Sequence, residues 1–154
     1  MEKNNNKFAN YFFILVIFQL LHSTEEIIFK LENWMPIVSG KVHNIISFVP
    51  VIVFPEEGFI IANIILVIVM AIFTRFVYKE YKWATTIAKI ASVIEIINGA
   101  GHISMAIILF RYFPGCITGI GLIIFGVLCL KNYYSETKAI LTYPDKSGLK
   151  EREC

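Results

Sequence analysis

Seven polar side chains stand in stretches that are otherwise apolar, and six of them form two trios with one spacing. Gln19, His22 and Glu26 lie at i, i+3 and i+7, and Glu95, Asn98 and His102 repeat that pattern. At ~100° per residue each trio occupies one narrow stripe of a helix. Glu25 adds a second carboxylate on the other side of His22. Such groups can do two kinds of chemistry. His22, Glu26 and His102, with Glu25 and Glu95 as further candidate ligands, can hold a divalent metal such as zinc or iron and leave a position open. Without a metal, two adjacent carboxylates can share a proton and one of them can serve as general base, with Asn98 and His102 stabilising an oxyanion. The candidate catalytic residues are His22, Glu25, Glu26, Asn98 and His102. Within that set His22, Glu26 and His102 are read as ligands, Glu25 as base or second carboxylate, and Asn98 as an orienting donor. Gln19 and Glu95 are expected to line the deeper floor.

The elements that carry these residues must cross a membrane. Of 154 residues 56% are hydrophobic and 17% are charged, and the mean hydropathy is +0.66. A soluble domain is ~45–50% apolar even with glycine counted, and ~25% charged. A formal charge of +2 leaves no basic excess for phosphates, which argues against a nucleic-acid partner. The pattern reads as an all-α integral membrane four-helix bundle, with spans at about 8–29, 59–77, 84–110 and 114–130. The first run has the outline of a signal peptide, but it continues through Ile27, Ile28 and Phe29 and is read as an uncleaved span. Between spans 1 and 2 the apolar stretch Val42–Pro55 is short and carries Pro50 and Pro55, which suits a re-entrant or interfacial segment. Residues 1–130 form the membrane domain, and 131–154 read as a polar cytoplasmic tail. Cys116, Cys129 and Cys154 have no paired spacing and make no disulfide framework. Gly115 and Gly119, with Gly121 nearby, offer a helix-packing face through which copies of the chain could associate.

Charge sets the orientation. With four spans, Lys30, Lys41 and Arg111 fall on one side and the other eleven of the fourteen Lys and Arg residues on the opposite side. The basic side faces the cytoplasm, which puts both termini there in an inner-membrane protein. Spans 1 and 3 then run parallel, and His22 and Asn98 both lie ~21 Å from the cytoplasmic end. The stripes match level by level: Gln19 with Glu95, His22 with Asn98, Glu26 with His102. The expected pocket lies between spans 1 and 3 in the outer half of the membrane. Lys89 falls on the opposite face of span 3, where it can snorkel to the interface. Hydrogen bonds between membrane helices average only ~0.6 kcal/mol, and one Asn or Gln would hold two helices together. Buried carboxylates are a costly way to do the same, so the cluster points to function.

His22-Ser23-Thr24-Glu25-Glu26 resembles the motif of the HXXEE family of small bacterial membrane proteins. Asn98-Gly99-Ala100-Gly101-His102 and Tyr112-Phe113-Pro114-Gly115 resemble its second block. The resemblance covers roughly residues 8–130. It implies an enzymatic role for His22, Glu25, Glu26, Asn98 and His102, and it supplies no reaction or substrate. The expected function is a membrane-embedded enzyme acting by hydrolysis or other acid–base chemistry on a lipid-like or apolar molecule taken from the bilayer. A proton- or ion-coupled carrier is the alternative, and a structural or partner-binding protein the third reading.

Overall fold

The computed structural model describes residues 7–142, with side chains through Tyr133. The described chain forms helices α1 (Lys7–Ile28), α2 (Met35–Ile45), α3 (Glu56–Tyr78), α4 (Lys82–Ile108) and α5 (Cys116–Thr142), with a 3-10 turn at Leu31–Asn33 before α2. Helices α1, α3, α4 and the first part of α5 are long and apolar enough to cross a membrane. The protein is an all-α membrane protein.

Contacts fix the directions of the helices. Tyr78 at the end of α3 donates to Asn10 near the start of α1, 2.9 Å away. At the other end Lys30 pairs with Glu56 across 3.4 Å. Cys129 of α5 packs at the level of Phe8. Helices α1 and α4 therefore run one way, and α3 and α5 the other. Helix α5 packs along both α4 and α1, while α1 and α4 touch much less, through His22 and Glu26 on one and Asn98 and His102 on the other.

The inward stripe of α1 changes character along its length. Phe8, Ala9, Phe12, Leu15 and Val16 make an apolar half, and Gln19, His22, Ser23, Glu25 and Glu26 make a buried polar half. The stripe of α4 is built from small residues, Ala84, Ala88, Ser92 and Gly99, together with Glu95 and His102. Small residues let membrane helices approach closely. A Cβ on Gly99 would run into the carbonyl oxygen of Gly119, and the two backbones are in direct contact there. Most large apolar side chains outside these stripes are exposed on the helix faces, including Ile61, Ile64, Ile65 and Ile68 on α3. Those faces meet the hydrocarbon. Tyr81 and Trp83 cluster with Phe73 and Phe76 at one end of the bundle. Such aromatic girdles mark membrane interfaces.

Two boundaries differ from the sequence reading. Val42–Pro55 is not one element: its first residues close α2, which starts upstream at Met35 with a proline in its first turn. The rest is non-helical and is tied back to α2, with Ile52 N donating to Ser39 Oγ at 2.8 Å and His43 Nδ1 donating to the Val49 carbonyl at 2.8 Å. Helix α5 also runs beyond Leu130 to Thr142, since residues 131–143 contain no Gly or Pro to stop it. The remainder of the polar tail, with Cys154, lies outside the described residues.

Candidate functional site

His22 and His102 each stand six residues before the end of their helix, at Ile28 and Ile108. That places both ~9 Å below the same end of the bundle. Their rings meet nearly perpendicular, with centroids 4.7 Å apart. Both Nε2 atoms point at one oxygen: Glu26 Oε1 is 3.2 Å from His22 Nε2 and 3.0 Å from His102 Nε2. All three side chains are buried, and their ligand atoms lie within 4.8 Å of one another.

The opposite ring nitrogens are each held by oxygen. His102 Nδ1 donates to the carbonyl of Pro114 at 2.5 Å. A carbonyl can only accept, so this nitrogen carries a proton. His22 Nδ1 lies 2.9 Å from Thr118 Oγ1. The Thr118 hydroxyl donates its one proton to Glu25 Oε2, and so it accepts from His22. Each Nδ1 is thereby fixed as a donor; when the rings are neutral each Nε2 presents a lone pair to Glu26, and a doubly protonated ring would instead donate to it from Nε2. Asn98 Nδ2 donates to His22 Nε2 at 3.3 Å, which suits a bare nitrogen.

Glu25 does not join this group. Its Oε1 accepts from the Tyr112 hydroxyl at 2.7 Å and from Ile117 N at 3.3 Å. Its Oε2 accepts from Thr118 N at 2.9 Å and from the Thr118 hydroxyl. A carboxylate from α1 thus caps the first turn of α5, where exposed amides and the helix dipole favour a negative charge. Burial, followed by the adjacent Glu25, pushes the Tyr112 phenol above its ordinary value, so it stays a donor at neutral pH.

The levels Glu26–His102 and His22–Asn98 meet as their spacing suggests. Gln19 and Glu95 show no such bond: Gln19 Nε2 donates to Ser23 at 3.2 Å, and Glu95 pairs with Asn98. Gln19 Oε1 and Glu95 Oε2 have no hydrogen-bond partner among the described residues. Lys89 points away, with its ammonium 4.0 Å from the Tyr133 ring. The pocket has a third wall that the sequence reading lacks, the Pro114–Thr118 start of α5. Tyr112, Pro114 and Thr118 each hold a group of the cluster. The only signal for them in the sequence is the Tyr-x-Pro-Gly block, which carries no helical period to phase it.

The glycines proposed as an association face are used within the chain. Gly119 lies on Gly99, Gly121 on the Phe18 ring, and Gly115 beside both imidazoles. Gly115 and Gly119 are buried, so they offer no surface to a second copy.

No curated protein and no solved structure matches the chain. A family model does match, over residues 13–130, and its description is a protein of unknown function with an HXXEE motif. The matched region contains His22, Glu25 and Glu26, the residues the motif spells, and it covers well over half of the sequence: the chain belongs to the HXXEE family.

Proposed function

We propose that this protein is a membrane-embedded, metal-dependent enzyme in which His22, Glu26 and His102 hold a divalent ion and the substrate is a lipid-like or apolar molecule. The observation that carries this reading is the convergence of two Nε2 atoms on one carboxylate oxygen, with each Nδ1 tied to an oxygen acceptor. With neutral rings the three groups are all acceptors, and either a metal ion or a shared proton has to lie between them. Histidines that bind metals are usually oriented in this way through the other ring nitrogen. Ligand atoms ~2.0–2.1 Å from a tetrahedral ion stand ~3.3 Å apart, close to the 3.2 Å and 3.0 Å between Glu26 and the two imidazoles. Two imidazoles and one carboxylate suit zinc or non-haem iron, and three protein ligands leave positions open. When bound, the ion supplies a Lewis acid and an acidic water for hydrolysis. Glu26 provides one negative charge, which offsets half of the ion's. Glu25 orients His22 through Thr118 and anchors α5. Asn98 offers a donor at the edge of the cluster, and Glu95, linked to Asn98, is the carboxyl available to take up or return a proton.

The test is elemental analysis of the full chain, purified in detergent with an affinity tag that contains no histidine. About one zinc or iron per chain is expected, falling to background in Glu26→Gln and His102→Ala proteins that still insert. Metal-free wild-type protein would overturn the reading. It would favour a proton-coupled carrier, for which the hydrogen-bonded path from Tyr112 through Glu25 and Thr118 to His22 is the supporting observation.

A further inference from the structure

A chamber of about 460 Å³ lies between α2, the chain that follows it, and α4. Val38, Val42, Ile52, Met105 and Phe113 form its walls, and Asn98 and His102 stand on it from α4. This space reaches residues of the cluster, whereas a second groove, around Ile107 and Cys116, touches neither histidine. Ser39 also lines the chamber, but its hydroxyl donates to Met35 O at 2.6 Å and accepts from Ile52 N at 2.8 Å. The remaining polar side chains on the lining are Asn98 and His102, at the edge of the cluster. We propose that this chamber seats the substrate of the cluster, and that the substrate is a neutral, single-chain lipid whose carbonyl lies at Asn98 and His102 while its hydrocarbon lies along Val38, Val42 and Ile52.

Three observations select that class. The walls are hydrocarbon from end to end except at the cluster, so the occupant is apolar with polarity at one place. No Lys or Arg lines the chamber. An anionic headgroup would find its positive partner there only in the ion proposed at His102, whose charge Glu26 already offsets in part, so a neutral polar group is the simpler fit. The volume falls in the lower half of the ~300–1,000 Å³ range of small-molecule pockets, which suits one chain and not a diacyl lipid. A carbonyl is the neutral group that a Lewis acid held at His102 would polarise and that acid–base hydrolysis attacks.

The inference rests on the function proposed above, and Gly101 lets the two be tested apart. Gly101 lines the chamber, and a Cβ built on it meets no atom within 4 Å. A larger side chain there projects into the chamber without touching His22 or Glu26. The probe is methyl hexadecanoate with a photoreactive diazirine on its tail, added to the detergent-purified full chain. Its free acid and a lysophosphatidylcholine with the same tail are the comparison probes. Wild-type protein should be labelled by the ester on peptides containing Val38–Val42 or Met105. Gly101→Phe, and Val42→Phe from the opposite wall, should each lower that labelling about ten-fold and leave the metal content unchanged. Both charged probes should label those peptides no more than they label α3. Ester labelling that ignores both substitutions, or stronger labelling by either charged probe, overturns the inference. Metal-free wild-type protein with substitution-sensitive ester labelling leaves the chamber assignment standing and removes the metal.

Discussion

Both imidazoles close on Gly115. Its φ is +88°, a region costly for any residue with a Cβ. That Cβ would also stand 2.5 Å from His102 Nδ1 and 2.7 Å from His22 Cε1. Gly115→Ala therefore has to move either the turn or the rings. The expected result is a protein that inserts normally and loses most of its bound metal, measured as ion content per chain. Unchanged metal content would mean the rings have room the geometry denies them. Thr118 makes a finer test, since it accepts from His22 and donates to Glu25. Thr118→Val removes both bonds at nearly constant volume, while Thr118→Ser keeps them. Loss of a partner that orients a ligand costs ~10–100-fold in metal affinity. Chelator competition should show such a loss in Thr118→Val and recovery in Thr118→Ser. A third contrast lies between the carboxylates: Glu95→Gln should keep the metal that Glu26→Gln loses, because Glu95 meets Asn98 and not the two Nε2 atoms.

At the scale of elements, the site depends on the entry of α5 into the gap between α1 and α4. The stripes on α1 and α4 were legible because each polar residue stands out against an apolar background and the helical period fixes its face. The parallel run of the two spans followed from counting crossings. The third wall was not legible. Tyr112, Pro114 and Thr118 are ordinary residues for a loop and a helix start, and their roles appear only when Glu25 reaches across to cap α5 and His102 donates to the Pro114 carbonyl. Glu25 keeps the angular position beside His22 that the helical period gives it, and the amides of Ile117 and Thr118 hold it as a cap, which the period alone does not foretell. Helix α2 escaped notice because Ser39, Gly40 and Lys41 hide its apolar face and the longer apolar run begins only at Val42. Lys89 tests the phase of α4. Its ammonium rests on Tyr133, far from the cluster end, so Lys89→Gln should leave metal content and labelling of the chamber unchanged. A Lys89→Gln protein that inserts but binds no metal would break the assignment of that face.

The whole molecule has two unlike ends. One carries Lys7, Arg75, Lys79 and Lys82 and the Tyr81–Trp83 aromatic cluster. The other carries the cluster, the chamber and α2, with Lys30, Lys41 and Arg111 as its Lys and Arg residues among those described. Arg111 lies over the Trp34 ring, 4.3 Å from its centroid, which spreads its charge along an aromatic face. Basic residues near span ends stay in the cytoplasm, so the end with Lys82 should face inward and the chamber should open on the outer half of the bilayer. His22 is fifteen residues past Lys7, ~22 Å along α1, beyond the midplane of a ~30 Å hydrocarbon core. A substrate would then reach the site from the outer leaflet without crossing the bilayer. A reporter that matures only in the cytoplasm should be active when fused after Cys154, and an enzyme active only outside should report when inserted beside the exposed Lys41. The reverse pair of results would put the cluster in the inner half of the membrane and reverse the leaflet from which the chamber fills.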